Sequence, residues 1–155
     1  MFNLNNLNLE ILVGSNKIKR NTLEPFDKEI CNFLISFSQV LISSKEAREF
    51  PDLIALAFWC SKKNIENLEK RFSFNELRVG KGILFHIAPS NVPTNFFYSL
   101  IFGLLSGNSN IVKIPSKKFG QIYIICNKVN QLLKLKRFKK LKNYISIVRY
   151  DEDNF

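Results

Sequence analysis

Two short loops between apolar segments carry the side chains best suited to chemistry. The first is Ala88-Pro89-Ser90-Asn91-Val92-Pro93. Because a proline biases the preceding residue towards extended backbone, Pro93 keeps Val92 out of a helix and holds Asn91 at the end of an apolar run. The NH2 group of Asn91 could donate a hydrogen bond to an oxyanion and so stabilise a tetrahedral intermediate. On spacing alone, a local turn hydrogen bond is the simpler interpretation of Asn91.

The second loop is Lys113-Ile114-Pro115-Ser116-Lys117-Lys118. It offers three ammonium groups and a hydroxyl beside a predicted helix start. Helix N-termini favour anions, so a phosphate-bearing ligand fits this loop. The alternative is an exposed basic loop without a ligand. Neither a Gly-x-Gly-x-x-Gly nor a Walker sequence is present, so this is not an ordinary dinucleotide fingerprint.

The three cysteines and the single histidine are poor candidates for chemistry. Cys31, Cys60 and Cys126 lie far apart, with no Cys-x-x-Cys spacing. This odd, unclustered set indicates a reducing compartment and no metal site. Each cysteine has a helical, largely apolar context, which favours a small core residue over a nucleophile. His86 lies within a predicted strand, where a half-buried structural role is more plausible than catalysis.

The overall charge bears on partners and location. The formal net charge is +10, which allows nucleic acid, a membrane surface or phosphorylated small molecules as partners. A solvated Lys-rich surface is the alternative. Residues 1–10 lack the basic start and apolar core of a signal peptide. The most apolar stretch, residues 96–105, is far below the roughly 20 residues of a membrane span. We expect a cytoplasmic protein with no transmembrane segment.

The first half of the chain has a helical pattern. Residues 1–22 are polar, with one short strand predicted at Leu9–Val13. From Pro25 to Ile42 the apolar residues recur at spacings of three and four, which predicts an amphipathic helix with Pro25 in its first turn. Further helices are predicted from Ser44, over 52–60 after a break at Pro51, and over 65–70.

The pattern changes at Gly82 to alternating strands and helices. Strands are predicted at Ile83–Ile87, Asn110–Ile114 and Tyr144–Arg149, with helices near 95–106 and 121–135 between them. Gly107 fits a positive-φ helix stop, and Ser116 is a candidate cap for the second helix. This order predicts a parallel, doubly wound sheet with the first two strands adjacent. Ligands bind such sheets at the carboxyl ends of the strands, which are the two loops above. The unpaired sheet edges call for a partner or a longer chain.

A basic run from Lys128 to Lys142 has leucines and one phenylalanine among its lysines and arginine. It could form an amphipathic helix that touches a membrane, acidic CoA or nucleic acid. A helix with one solvated face is the alternative.

The segment HIAPSNVPTNFFYSLIFGLLSGNSNIVKIPSK resembles the acyl-CoA reductase family. That family is a branch of the aldehyde dehydrogenase superfamily, and its best-known member is the fatty acyl reductase component of the bacterial bioluminescence fatty acid reductase complex. The shared pattern is strand, Pro-x-Asn-x-Pro, helix, Gly-Asn, apolar strand, Lys and a short loop. It is sharp over residues 80–118, and FDKEICNFLISFSQVL is similar to the family's N-terminal helical region.

The resemblance implies a fold and an activity. It implies one incomplete NADP-binding domain over 1–155, mostly helical over 1–78, with 79–155 as the βαβαβ portion of a Rossmann-type cofactor domain. The implied activity is NADPH-dependent reduction of a fatty acyl thioester, on CoA or on a protein, to an aldehyde. A cysteine thiolate takes the acyl group before hydride arrives.

The resemblance also assigns roles to the two loops. Asn91 matches the asparagine that helps stabilise the oxyanion, and Lys113 matches the lysine that touches the adenosine ribose. Ser116 falls where NAD-preferring relatives often carry an acidic residue, so with Lys117 alongside, a 2′-phosphate is better tolerated and NADPH is favoured. The remaining cofactor-binding assignments are Pro89, Ser90 and Pro115.

The chain departs from the family in lacking its catalytic cysteine, which lies downstream in a separate domain. None of the three cysteines here falls in the matched motif. We therefore expect an N-terminal fragment that is inactive alone, with a missing catalytic half or acyl-transferring proteins as partners. The alternatives are a non-catalytic truncated product, a subunit completed by another chain, or a small basic nucleic-acid binder. For the last, the basic run offers only Phe138 and Tyr144 as aromatics.

Overall fold

The computed structural model describes residues 1–5, 9–72 and 76–150. Among these residues the strands are Phe2–Asn3 (β1), Glu10–Gly14 (β2), Lys17–Ile18 (β3), Ile83–Ile87 (β4), Ser109–Lys113 (β5) and Ile145–Arg149 (β6). The α-helices are Lys28–Ser43 (α1), Lys45–Arg48 (α2), Pro51–Trp59 (α3), Lys62–Arg71 (α4), Asn95–Leu105 (α5) and Gly120–Leu133 (α6), and a 3-10 helix covers Lys136–Tyr144. The fold is mixed α/β, as predicted.

The helical layer starts later than the sequence predicts. Asp27 caps α1, since its Oδ1 accepts hydrogen bonds from the backbone N–H groups of Glu29 at 2.8 Å and Ile30 at 3.2 Å. The sequence predicts Pro25 in the first turn of this helix, but Pro25 lies two residues before the N-cap residue Asp27. The chain turns at Phe26, whose φ is +57°, and its N–H donates to the Leu105 carbonyl at 2.8 Å. This bond ties the entrance of α1 to the end of α5.

The two later helix starts in this layer agree with the predictions. Ser44 occupies the N-cap position of α2, with Glu46 in the first turn, and Pro51 is at the first position of α3. A proline is tolerated there because the first N–H groups of a helix have no intrahelical acceptor.

A four-stranded sheet with the order β2-β6-β5-β4 forms the centre of the protein. β4 pairs in parallel with β5, with Ile83 opposite Ser109 and Ile87 opposite Lys113, and β5 pairs in parallel with β6. The predicted βαβαβ unit and its adjacent first strands are therefore confirmed. β2 pairs antiparallel with β6, so the sheet is mixed and one strand of the mostly helical N-terminal region belongs to it.

The prediction of a doubly wound sheet is wrong. β4, β5 and β6 follow one another in a single direction across the sheet, so right-handed crossovers place α5 and α6 on the same face. The main core joins both helices and α1 to residues of that face such as Val112 and Ile147. The opposite face is covered in part by the N-terminal segment, where Leu4 and Ile18 pack against Ile111 and Val148.

The two sheet edges differ. β2 covers the outer side of β6, which removes one of the two unpaired edges expected from the sequence. Within the part of the chain that the structure describes, no strand pairs with the outer side of β4. Phe85 and Ile87 on this strand are 54% and 71% exposed, which is high for large apolar side chains.

A hydrogen-bonded pair of side chains from β4 and β5 lies directly beneath α5. The Nδ2 group of Asn110 donates to the Asn108 carbonyl at 2.8 Å, so its Oδ1 is the acceptor that faces His86 Nε2 at 2.9 Å. His86 is half-buried and makes a structural hydrogen bond, as expected. α5 passes over this pair at Gly103, where a Cβ atom would overlap Asn110 Oδ1. α5 ends at Leu105, and Gly107 follows the C-cap Ser106 with a φ of +80°, which confirms the predicted helix stop.

The basic run does not continue α6 as an α-helix. α6 ends at Leu133, and the 3-10 helix follows as a separate element that leads into β6. Its apolar side chains Phe138, Leu141 and Tyr144 are buried, while its lysines are exposed. None of the described helices combines the length and the apolar composition that crossing a membrane requires.

Candidate functional site

The two loops singled out in the sequence lie at the same edge of the sheet. β4 and β5 run in parallel, so residues 88–93 and 114–118 leave the sheet at neighbouring carboxyl ends. The Ala88 N–H donates to the Lys113 carbonyl at 3.1 Å, and the Ile114 N–H donates to the Val148 carbonyl at 3.0 Å. The first bond carries the pairing of β4 and β5 to the point where the first loop begins. We call this region the carboxyl edge.

The first loop is open to solvent. Pro89, Ser90 and Asn91 are exposed, and the chain becomes buried again at Thr94. The Asn95 N–H donates to the Val92 carbonyl at 3.3 Å, which forms the turn into α5. A ligand at the carboxyl edge could therefore reach the Asn91 side chain without displacing core residues.

The second loop is basic and partly anchored. Pro115 is buried, whereas Ser116 and Lys117 are exposed. Lys113 is half-buried, with its Nζ 4.8 Å from the centre of the Tyr150 ring, and Lys117 Nζ lies 5.0 Å from the centre of the Phe119 ring. Such contacts stabilise an ammonium group.

Ser116 does not cap α6, which corrects the prediction. The helix begins at Gly120, and its N-cap residue is Phe119, whose side chain makes no capping hydrogen bond. α5 begins at Asn95, and its N-cap residue Thr94 likewise makes no side-chain capping hydrogen bond. Both crossover helices therefore point N-termini without side-chain caps towards the carboxyl edge, where the helix dipole favours negative charge.

Among the residues that the structure describes, the charge around the carboxyl edge is mostly positive. No aspartate or glutamate occurs between Leu77 and Tyr150. Two described acids approach from other elements. Asp52 of α3 accepts a hydrogen bond through Oδ2 from Gln121 Nε2 at 3.3 Å, and Glu10 of β2 has an Oε2 atom 3.5 Å from a guanidinium nitrogen of Arg149, at the end of β6. Tyr150 is an edge residue that the sequence analysis missed. It could have been predicted from its position, because it directly follows the last strand and so lies on the same side of the sheet as the two loops.

None of the cysteines lies in the two loops. Burial raises the pKa of the Cys31 thiol to about 11, with smaller contributions from Glu69 and Asp27, and burial raises that of Cys126 to about 12. The pKa of Cys60 is raised further by the same cause. All three are thiols at neutral pH, which fits the predicted core role and is unfavourable for a nucleophile.

A large apolar cavity lies elsewhere. It has a volume of about 490 Å³ and includes Phe72, Leu84, Phe102 and Leu105 in its lining. Gly80 and Asn108, also in the lining, place it beside the amino end of β4, at the opposite end of the strand from Asn91. We therefore place the candidate site at the carboxyl edge, where the two loops meet and positive charge is concentrated, and not at this cavity.

The comparison with protein families gives the identity at family level. The family model described as acyl-CoA reductase (LuxC) matches residues 21–154, and the chain belongs to this family. The resemblance drawn from the sequence is thereby confirmed, and the family relates the chain to oxidoreductases of acyl substrates associated with bioluminescence. No curated protein and no solved structure matches the chain.

Proposed function

We propose that this chain forms the cofactor-binding and oxyanion-stabilising part of an NADPH-dependent acyl-CoA reductase of the aldehyde dehydrogenase superfamily. The reaction is reduction of a fatty acyl thioester to an aldehyde. The observation that carries the proposal is the convergence of the Asn91 loop and the Lys113–Lys118 loop at one edge, in a chain of this family.

The residues of the second loop fit an NADPH molecule. Lys113 and Lys117 would hold it through charge-assisted hydrogen bonds to the ribose and its 2′-phosphate. Ser116 places no negative charge against that phosphate, and the N-terminus of α6 adds a positive dipole end. Pro89, Ser90 and Pro115 would shape the backbone around it. When bound, NADPH supplies the hydride.

Asn91 would act on the acyl group. Negative charge develops on the carbonyl oxygen as the thioester is attacked and again as hydride arrives. The Asn91 amide would donate a hydrogen bond to that oxygen. Removal of one such donor typically costs about 10²–10³ in turnover rate.

The acyl-accepting thiolate would come from another polypeptide segment. It would attack the thioester carbon, form a new carbon–sulfur bond and release CoA as the thiol after protonation. This assignment is supported by the raised pKa values of Cys31, Cys60 and Cys126, by the burial of the last two, and by the absence of a cysteine from both loops. The substrate would be a fatty acyl-CoA or an acyl-protein thioester. The free thiols also favour a cytoplasmic location.

The isolated chain is expected to show no NADPH oxidation that depends on a long-chain acyl-CoA. Thioester transfer needs a reactive thiolate, and the three thiols present have raised pKa values. The measurement is NADPH absorbance over time with and without the acyl-CoA. Acyl-CoA-dependent oxidation that disappears when one of the three cysteines is changed to serine would contradict the assignment.

A non-catalytic subunit or truncated product is the second candidate. Its supporting observation is the unpaired outer side of β4 within the described residues, together with exposed Phe85 and Ile87. Binding of NADPH by the chain separates the two candidates. A reductase part binds the cofactor at the carboxyl edge, whereas a non-catalytic product has no need to do so.

A further inference from the structure

The strongest feature outside the candidate site is a dense group of exposed cations around the 3-10 helix. We call it the basic face. Its exposed residues are Lys134, Lys136, Arg137, Lys139, Lys140 and Lys142. We propose that the basic face docks the protein on an anionic lipid surface.

Two segments that are distant in sequence build the same region. β3 packs against the 3-10 helix. The backbone N–H of Lys19, just after β3, donates to the Asn143 carbonyl at 2.8 Å, and Lys19 Nζ lies 5.0 Å from the centre of the Tyr144 ring. Lys17 in β3 is exposed as well. The fold therefore adds further positive charge to a segment that is already basic.

Few acidic side chains neutralise the positive charges of the basic face. In the part of the chain that the structure describes, its six cations make no ion pair shorter than 4.0 Å. One acid approaches from the start of α1, where Glu29 lines a cleft together with Lys28 and Arg137. Arg137 itself donates to Ser36 Oγ at 3.4 Å. Clustered like charges repel one another, and an anionic partner relieves that repulsion.

The side chains of the basic face favour a lipid surface over nucleic acid. Phe138 and Tyr144 are 2% and 6% exposed, so they cannot stack on bases. Leu135 is 41% exposed between Lys134 and Lys136. An apolar side chain flanked by lysines can enter the headgroup region while the ammonium groups remain at the phosphate level.

The composition of the basic face also argues against a specific protein partner. Five of its six cations are lysines. Lysine is depleted and arginine enriched at protein–protein interfaces, while a lysine acts as a point charge on any anionic headgroup. The basic face precedes β6 and so lies at the amino end of that strand, opposite the carboxyl edge. Docking there leaves the candidate site open to solvent.

The test is co-sedimentation of the chain with phosphatidylcholine vesicles containing about 30% phosphatidylserine, and with phosphatidylcholine vesicles alone. Binding is expected only with phosphatidylserine and should weaken as salt rises from about 0.05 to about 0.5 M. Each lysine near an anionic surface contributes roughly a fivefold change in partitioning. The triple variant Lys139→Gln, Lys140→Gln, Lys142→Gln should therefore bind roughly a hundredfold more weakly, with an unchanged melting temperature.

A matched variant removes the same charge elsewhere. Lys62, Lys63 and Lys70 are exposed on α4, and their replacement by glutamine should weaken binding by less than about fivefold. Equal loss in the two triple variants would show that net charge alone drives binding and would overturn the proposal. So would equal binding to both kinds of vesicle, or tighter binding to a short double-stranded DNA than to the phosphatidylserine vesicles.

Discussion

The chain is expected to bind NADPH at least tenfold more tightly than NADH, and Ser116→Glu should erase or reverse that preference. The 2′-phosphate is what distinguishes the two cofactors, and an acidic side chain at position 116 would repel it. A well-formed charge-assisted hydrogen bond from Lys113 or Lys117 contributes roughly 1.5–3 kcal/mol. One such bond is a factor of about ten or more in affinity. Calorimetric titration with each cofactor gives the ratio.

Two further variants separate charge from shape at this loop. Ser116→Gln is close to glutamate in size but uncharged, so it should keep the preference for NADPH. Lys117→Ala should weaken NADPH binding and leave NADH binding nearly unchanged, whereas Lys63→Ala on α4 should alter neither. An unchanged cofactor ratio in Ser116→Glu would show that the role assigned to this loop is wrong.

Gly103→Ala is expected to lower the free energy of unfolding by about 2–4 kcal/mol. The added Cβ atom would overlap Asn110 Oδ1 and approach His86 Nε2 to 3.1 Å, so α5 must move or the Asn110–His86 hydrogen bond must break. Overpacking of a core typically costs about 1–3 kcal/mol, and a lost hydrogen bond adds about 1 kcal/mol. Chemical denaturation monitored by circular dichroism measures the difference.

Gly120→Ala is the matched control, because it is also a glycine-to-alanine change in a helix. Its Cβ atom would meet Phe50 at 3.4 Å, an ordinary contact, and Gly120 is exposed. The expected change is below about 1 kcal/mol. Equal effects of the two substitutions would mean that the close approach of α5 to Asn110 does not limit stability.

Local patterns in the sequence were enough to predict most elements of the sheet. The apolar run at Ile83–Ile87 and the stop at Gly107 depend on neighbouring residues, and both agree with the structure. The antiparallel pairing of β2 with β6 depends on contacts more than a hundred residues apart. The placement of α5 and α6 on one face also depends on non-local pairing, because the order of β4, β5 and β6 in the sheet decides it. Periodicity carries no information on either.

The position of the candidate site was predictable from the sequence, but two details of its residues were not. Because the carboxyl ends of parallel strands lie at the same edge of a sheet, the sequence alone predicts that the loops of Asn91 and Lys113 are neighbours. Tyr150 was missed because its contact with Lys113 crosses from one strand end to another. Ser116 was a plausible cap by residue type, yet α6 starts four residues later, after a turn that local propensity does not fix.

The most direct test of the account is a map of where NADPH meets the chain. An isotope-labelled sample titrated with NADPH should show saturable chemical-shift changes in the backbone amides of residues 88–93 and 113–120, since these form the carboxyl edge. The amides near Leu84 and Phe102, at the other end of β4, should stay unchanged. Changes centred on the apolar cavity at that end, or no saturable change in either loop, would contradict the assignment of the carboxyl edge as the cofactor site.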